Sequence, residues 1–93
     1  MKEFYYRLED PHGLHARPAG VFATFAKRFS SNIRITNGEK EADGKRLLSL
    51  MTLGATHGST LLVQIEGEDE ETAARELEAF CRNDWLARSG GGS

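Results

Sequence analysis

Only one cysteine, Cys81, stands in the 93 residues, which excludes an internal disulfide framework and any Cys-rich zinc site. No apolar run exceeds three residues, as at Leu61-Leu62-Val63, far short of the ~18 that a membrane-spanning helix needs. Neither charge sign is in excess: 12 Lys and Arg face 14 Asp and Glu, a formal net charge of -2. That balance speaks against nucleic acid as a partner, since such binders usually carry a strong basic surplus. Met1-Lys2-Glu3 leads straight into strand-like alternation, with no apolar stretch of signal-peptide type. The expectation is a cytoplasmic chain that does not insert into membranes. With 39% hydrophobic and 28% charged residues, it has the composition of one small globular domain.

Ser89-Gly90-Gly91-Gly92-Ser93 reads as a flexible tail or linker, which sets the domain at residues 1–88. Within it, Phe4, Tyr6 and Leu8 alternate with Glu3, Tyr5 and Arg7 as a half-buried strand does. Asp10-Pro11-His12-Gly13 is turn chemistry. From Ala16 the period becomes helical, with Pro18, Val21, Phe22, Phe25, Ala26 and Phe29 on one stripe. Pro18 falls in the first turn, where a missing N–H costs nothing. A strand with Ile33 and Ile35 follows, then an Asn37-Gly38 hairpin signal and a short return strand from Glu39 to Ala42. Leu47, Leu50, Met51 and Leu53 suggest a brief helix closed by Gly54. Ser59 to Glu66 alternates again, and a last helix runs from an acidic start to Arg82 with Ala73, Ala74, Leu77, Phe80 and Cys81 inward. The order is β-α-β-β-α-β-α. Each helix has one apolar stripe, so all three are expected on one face of one sheet, an α+β open-faced two-layer sandwich.

Gly13-Leu14-His15-Ala16-Arg17-Pro18-Ala19 is the segment richest in chemistry. The turn delivers His15 to the first position of a helix, where the dipole and unpaired amides favour a neutral, nucleophilic ring. The same helix end favours an anion on that ring. Arg17 can offer a guanidinium to its oxygens, beside the backbone amides of Ala16 and Arg17. His12 and His57 stand without the carboxylate or cysteine spacing of a metal site, so no metal is expected. Cys81 falls on a buried stripe and reads as inert packing.

This segment resembles the active-site signature of the HPr family, the histidine phosphocarriers of the bacterial phosphotransferase system. Lys45 to Gly54 (KRLLSLMTLG), Gly58 and Glu66-Gly67-Glu68-Asp69-Glu70 resemble the family at the same spacing, so the likeness covers residues 2 to about 85. It implies a four-stranded antiparallel sheet under three helices. It further implies that His15 accepts a phosphoryl group on Nδ1 from enzyme I, originating in phosphoenolpyruvate, and passes it to IIA domains of sugar permeases. Such a carrier has no turnover of its own and uses no cofactor. His12 stands where many relatives carry a polar residue close to the phosphate.

Docking needs an apolar surface, and a short helix in a two-layer domain cannot bury apolar residues all round. Leu50 and Leu53 suit the core; Leu48 and Met51 fall on another face, and Leu47 fits either side. By resemblance, Leu47, Leu48 and Met51 form the patch that enzyme I and IIA domains cover, with Gly20 allowing close approach. Lys27, Arg28, Lys45 and Arg46 surround it in the family layout, a basic face within a net acidic chain. Arg46 departs from Gram-positive relatives, which carry a regulatory serine there; Ser49 is displaced by about 4.5 Å along the helix, so no serine-kinase control is expected. Two other readings stand beside sugar uptake: a paralogue in a regulatory, nitrogen-type relay, and a module that binds a transcriptional regulator without carrying phosphate. His15 beside Arg17 argues against the last. Size and family suggest a monomer.

Overall fold

The computed structural model describes residues 1–90. Its elements are β1 (Lys2–Arg7), α1 (Ala16–Ala26), β2 (Asn32–Asn37), β3 (Lys40–Asp43), α2 (Leu47–Met51), β4 (Thr60–Glu66), α3 (Glu70–Asn83) and α4 (Trp85–Arg88). The four strands form one sheet in the order β1-β4-β2-β3, every neighbouring pair antiparallel. Register places Phe4 opposite Val63, Tyr6 opposite Leu61, Ile33 opposite Ile65 and Ile35 opposite both Val63 and Ala42. All of these are buried, so the period of two in the sequence becomes one continuous apolar sheet face under the helices. The other face carries Glu3, Tyr5, Arg34, Glu41 and Gln64, and it is open.

The hairpin between β2 and β3 turns one residue later than the sequence suggests. Asn37 pairs with Lys40, so Gly38 and Glu39 form the loop. Gly38 has φ +62 and, among the described residues, none other than glycine has a positive φ, which fits glycine at the first central position of a II′ turn. The stripe of α1 also outruns its helix. After Ala26 the chain tightens through Arg28 N–H to Phe25 O and Phe29 N–H to Ala26 O. These three-residue bonds keep the buried Phe29 on the core side although it lies outside the helix.

The start of α3 binds across the fold rather than capping itself. Asp69 accepts the Ser30 and Ser31 amides, each at 2.9 Å, and the Ser31 hydroxyl. The Ser31 hydroxyl first, then the Ser30 amide, hold its carboxyl below the usual value. Glu70 is lowered too, chiefly by the N-terminal ammonium, which lies 3.0 Å away.

Residues after Asn83 correct the expected outline. The helix α4 follows the three predicted helices, and its Trp85 is 4% exposed. The Trp85 indole donates to Pro18 O at 2.9 Å, and its ring lies 4.9 Å from Phe22 and 5.4 Å from Tyr6. Ser89, assigned to the tail from the sequence, is the buried C-cap of α4 and donates its hydroxyl to Trp85 O at 2.7 Å. Gly91 to Ser93 of that expected tail lie outside the described residues. No helix among the described residues is long and apolar enough to cross a membrane.

Candidate active site

The loop between β1 and α1 is pinned before it reaches His15. Leu8 N–H donates to Ser59 O and Gly58 N–H to Leu8 O, both at 2.8 Å, while Leu14 N–H donates to Ala55 O at 3.0 Å. Asp10-Pro11-His12-Gly13 closes through Gly13 N–H to Asp10 O at 3.0 Å, with the residue types that a type I turn prefers at its first, second and fourth positions. Gly13 has φ +76, and a Cβ there would lie 2.6 Å from Ala55 O. Only glycine fits.

His15 is the N-cap of α1, one position ahead of the helix rather than within it, with φ -86 and ψ -174. Its side chain makes no capping bond. The first helical bond runs from Ala19 N–H to His15 O at 3.0 Å. The amides of Ala16 and Arg17 precede that bond and Pro18 has none to offer, so two N–H groups face out of the helix start. The His15 side chain is 42% exposed, and its Nε2 lies 3.5 Å from Oδ1 of Asp10, which is only 4% exposed. His12 meets the His15 ring edge-on, with centroids 5.9 Å apart. Arg17 is exposed, and a Cβ on Gly90 would lie 3.2 Å from its guanidinium. The C-terminal turn thus sits beside Arg17. Sequence reasoning missed both Asp10 and this contact. The turn signal marked Asp10 as loop chemistry, but nothing in the spacing told that its carboxylate reaches back to His15.

The apolar residues expected to form a docking patch divide as the helix geometry requires. Leu50 and Leu53 are each 1% exposed, whereas Leu48 is 76%, Met51 42% and Leu47 38% exposed. Gly20 faces this group: a Cβ there would lie 3.9 Å from Leu47 Cδ1, so α1 and α2 meet at that pair. Arg46 is the exposed N-cap of α2. Lys27 caps the far end of α1, roughly 18 Å along the axis from His15, and the two are not brought together. The wider basic face is thinner than expected. Lys45 donates its ammonium to Phe29 O at 2.6 Å, and the Arg28 guanidinium lies over the Phe25 ring, 4.7 Å from its centroid. The Ser49 hydroxyl is occupied as well, accepting Asp43 N–H at 2.9 Å. Burial pushes the Cys81 thiol far above its usual range, which suits packing and not reactivity.

A cleft of about 430 Å³ lies on the open side of the sheet, among Arg34, Glu41, Asp43 and Lys45.

The family described as "PTS HPr component phosphorylation site" matches residues 2–83. The phosphocarrier protein HPr of Haemophilus influenzae is 47% identical over 69 residues, covering 74% of this chain and 81% of that protein. HPr of Borreliella burgdorferi is 50% identical over 66 residues, covering 71% and 77%. Among solved structures, HPr-C-His of Thermoanaerobacter tengcongensis superposes with a TM-score of 0.83 at 33% identity, covering 97% of each chain.

Proposed function

The chain belongs to the HPr family of phosphocarriers of the phosphotransferase system, and from that footing we propose that His15 Nδ1 is its phosphoryl acceptor. The group comes from phosphoenolpyruvate through enzyme I and leaves for IIA domains of sugar permeases, in the cytoplasm. The observation that carries this reading is the His15 N-cap itself: an exposed imidazole beside two outward amides, with Nε2 turned to a buried carboxylate. Amides and Arg17 receive the phosphoryl oxygens. Gly20, Leu47, Leu48 and Met51 supply the apolar contact, with Arg46 and Lys27 at its edges. His12 lies close enough to the ring to meet the phosphate or its donor. The carrier works as a monomer, and each partner brings the second nucleophile.

Incubation of the chain with enzyme I and phosphoenolpyruvate should add one phosphoryl group. The label should be acid-labile and alkali-stable, as a phosphoramidate is, and absent from His15→Ala. Acid-stable label, or label retained by His15→Ala, would contradict the assignment.

A further inference from the structure

Asp10 is a carboxylate buried to 4% exposure, and burial at that depth is costly unless partners satisfy it. Its Oδ1 accepts His12 N–H at 2.9 Å and faces His15 Nε2 at 3.5 Å. Among the described residues His15 is the side chain that forms an ion pair with it, and no Lys or Arg does. The turn that carries Asp10 closes at Gly13, two residues before His15, so one loop places both the carboxylate and the helix start.

We propose that Asp10 is a positioning residue for phosphoryl transfer, holding His15 through Nε2–H so that Nδ1 keeps the attacking lone pair. The inference rests on the reading of His15 as acceptor. A neutral imidazole has one N–H, and the contact its other nitrogen makes decides where that hydrogen sits. Hydrogen on Nδ1 would leave the Nε2 lone pair facing the lone pairs of the Asp10 carboxylate. Hydrogen on Nε2 turns the same contact into a hydrogen bond, and a 3.5 Å separation is of the kind that tightens when the reacting complex forms.

The electron count gives the carboxylate a second task. The Nδ1 lone pair forms the N–P bond while the bond from phosphorus to the phosphorylated donor protein breaks, its pair leaving with the donor. Nε2 keeps its hydrogen, so the phosphorylated ring is an imidazolium with one positive charge. The helix N-terminus favours the phosphoryl oxygens and opposes that ring charge; Asp10 supplies the opposite sign. On forward transfer the N–P pair returns to Nδ1, the ring is neutral again, and no proton has moved.

The test uses the full chain with Asp10→Ala and Asp10→Asn, each compared with the parent by backbone amide spectra. Imidazole ¹H–¹⁵N spectra report the tautomer, with exposed His57 as internal reference. In the parent, His15 should carry its hydrogen on Nε2 and exchange it more slowly than His57. Asp10→Ala should abolish that difference. Single-turnover transfer from phosphorylated enzyme I should slow by at least about tenfold at saturation, with the half-saturating enzyme I concentration unchanged. Asp10→Asn keeps an acceptor for the turn, guards against loss of fold, and should also be slowed because the charge is gone. Parent-like exchange at His15 in Asp10→Ala, or a parent-like rate in Asp10→Asn, overturns the proposal. Failure of the parent to take any phosphoryl group overturns the acceptor reading, and this inference with it.

Discussion

A methyl group on Gly44 would stand 2.6 Å from Ile33 Cγ2 and 3.2 Å from both Ile33 O and Phe22 Cε1. None of these atoms is the free end of a flexible side chain, so the space exists only because residue 44 has no Cβ. Gly44→Ala should therefore cost about 1–3 kcal/mol through overpacking, read as a drop in the urea midpoint with unchanged slope. Parent-like stability would show that the β3–α2 corner yields. Asp10 and His15 belong to the same scale, since the proposed positioning of the ring turns on a single carboxylate oxygen 3.5 Å from Nε2. The place of His15 at a helix start was legible in the sequence, because turn residues end at Gly13 and the helical period begins at Ala16. Asp10 was not, because chain geometry at a turn marks the backbone and leaves the side chain's direction open.

Among the elements, α3 and α2 make the clearest claims. Asp69 joins the α3 start to the loop before β2, and its hydrogen bonds hold the carboxyl below the usual value. A lowered folded value means stability that is present above the unfolded value and lost as pH falls through the folded one. Thermal melts from about pH 6 down to about pH 2 should fall in that window, with Glu70 contributing in the same direction. Asp69→Asn should melt lower near neutrality and lose part of the acid dependence; an unchanged acid slope would mean that Asp69 is not its source. For α2, Leu48→Glu or Met51→Glu puts a charge into an exposed apolar surface, so transfer from enzyme I should weaken while stability stays within about 0.5 kcal/mol. A loss of several kcal/mol would place these residues in the core. The element boundaries show where periodicity misleads. The α1 stripe continues to Phe29 because a tightened last turn keeps the side chain inward, and a pattern of apolar residues does not distinguish that from another helical turn.

Across the whole molecule, the alternating strands and striped helices were enough to give one sheet with helices on one side, because each pattern leaves a single apolar face to cover. The C-terminal end was harder to read. Four residues of α4 are too few for a period, and Trp85 is buried by tertiary partners on β1 and α1. Trp85→Ala should cost about 3–5 kcal/mol, seen in equilibrium unfolding; a loss under about 1 kcal/mol would mean that α4 is dispensable to the fold. The central claim, however, concerns one atom. The decisive measurement is the ¹H, ¹⁵N and ³¹P spectrum of the uniformly ¹⁵N-labelled chain after phosphorylation by enzyme I. Phosphorus coupled to Nδ1 of His15, with hydrogen retained on Nε2, is the predicted result; phosphorus on Nε2, or on His12 or His57, would contradict it.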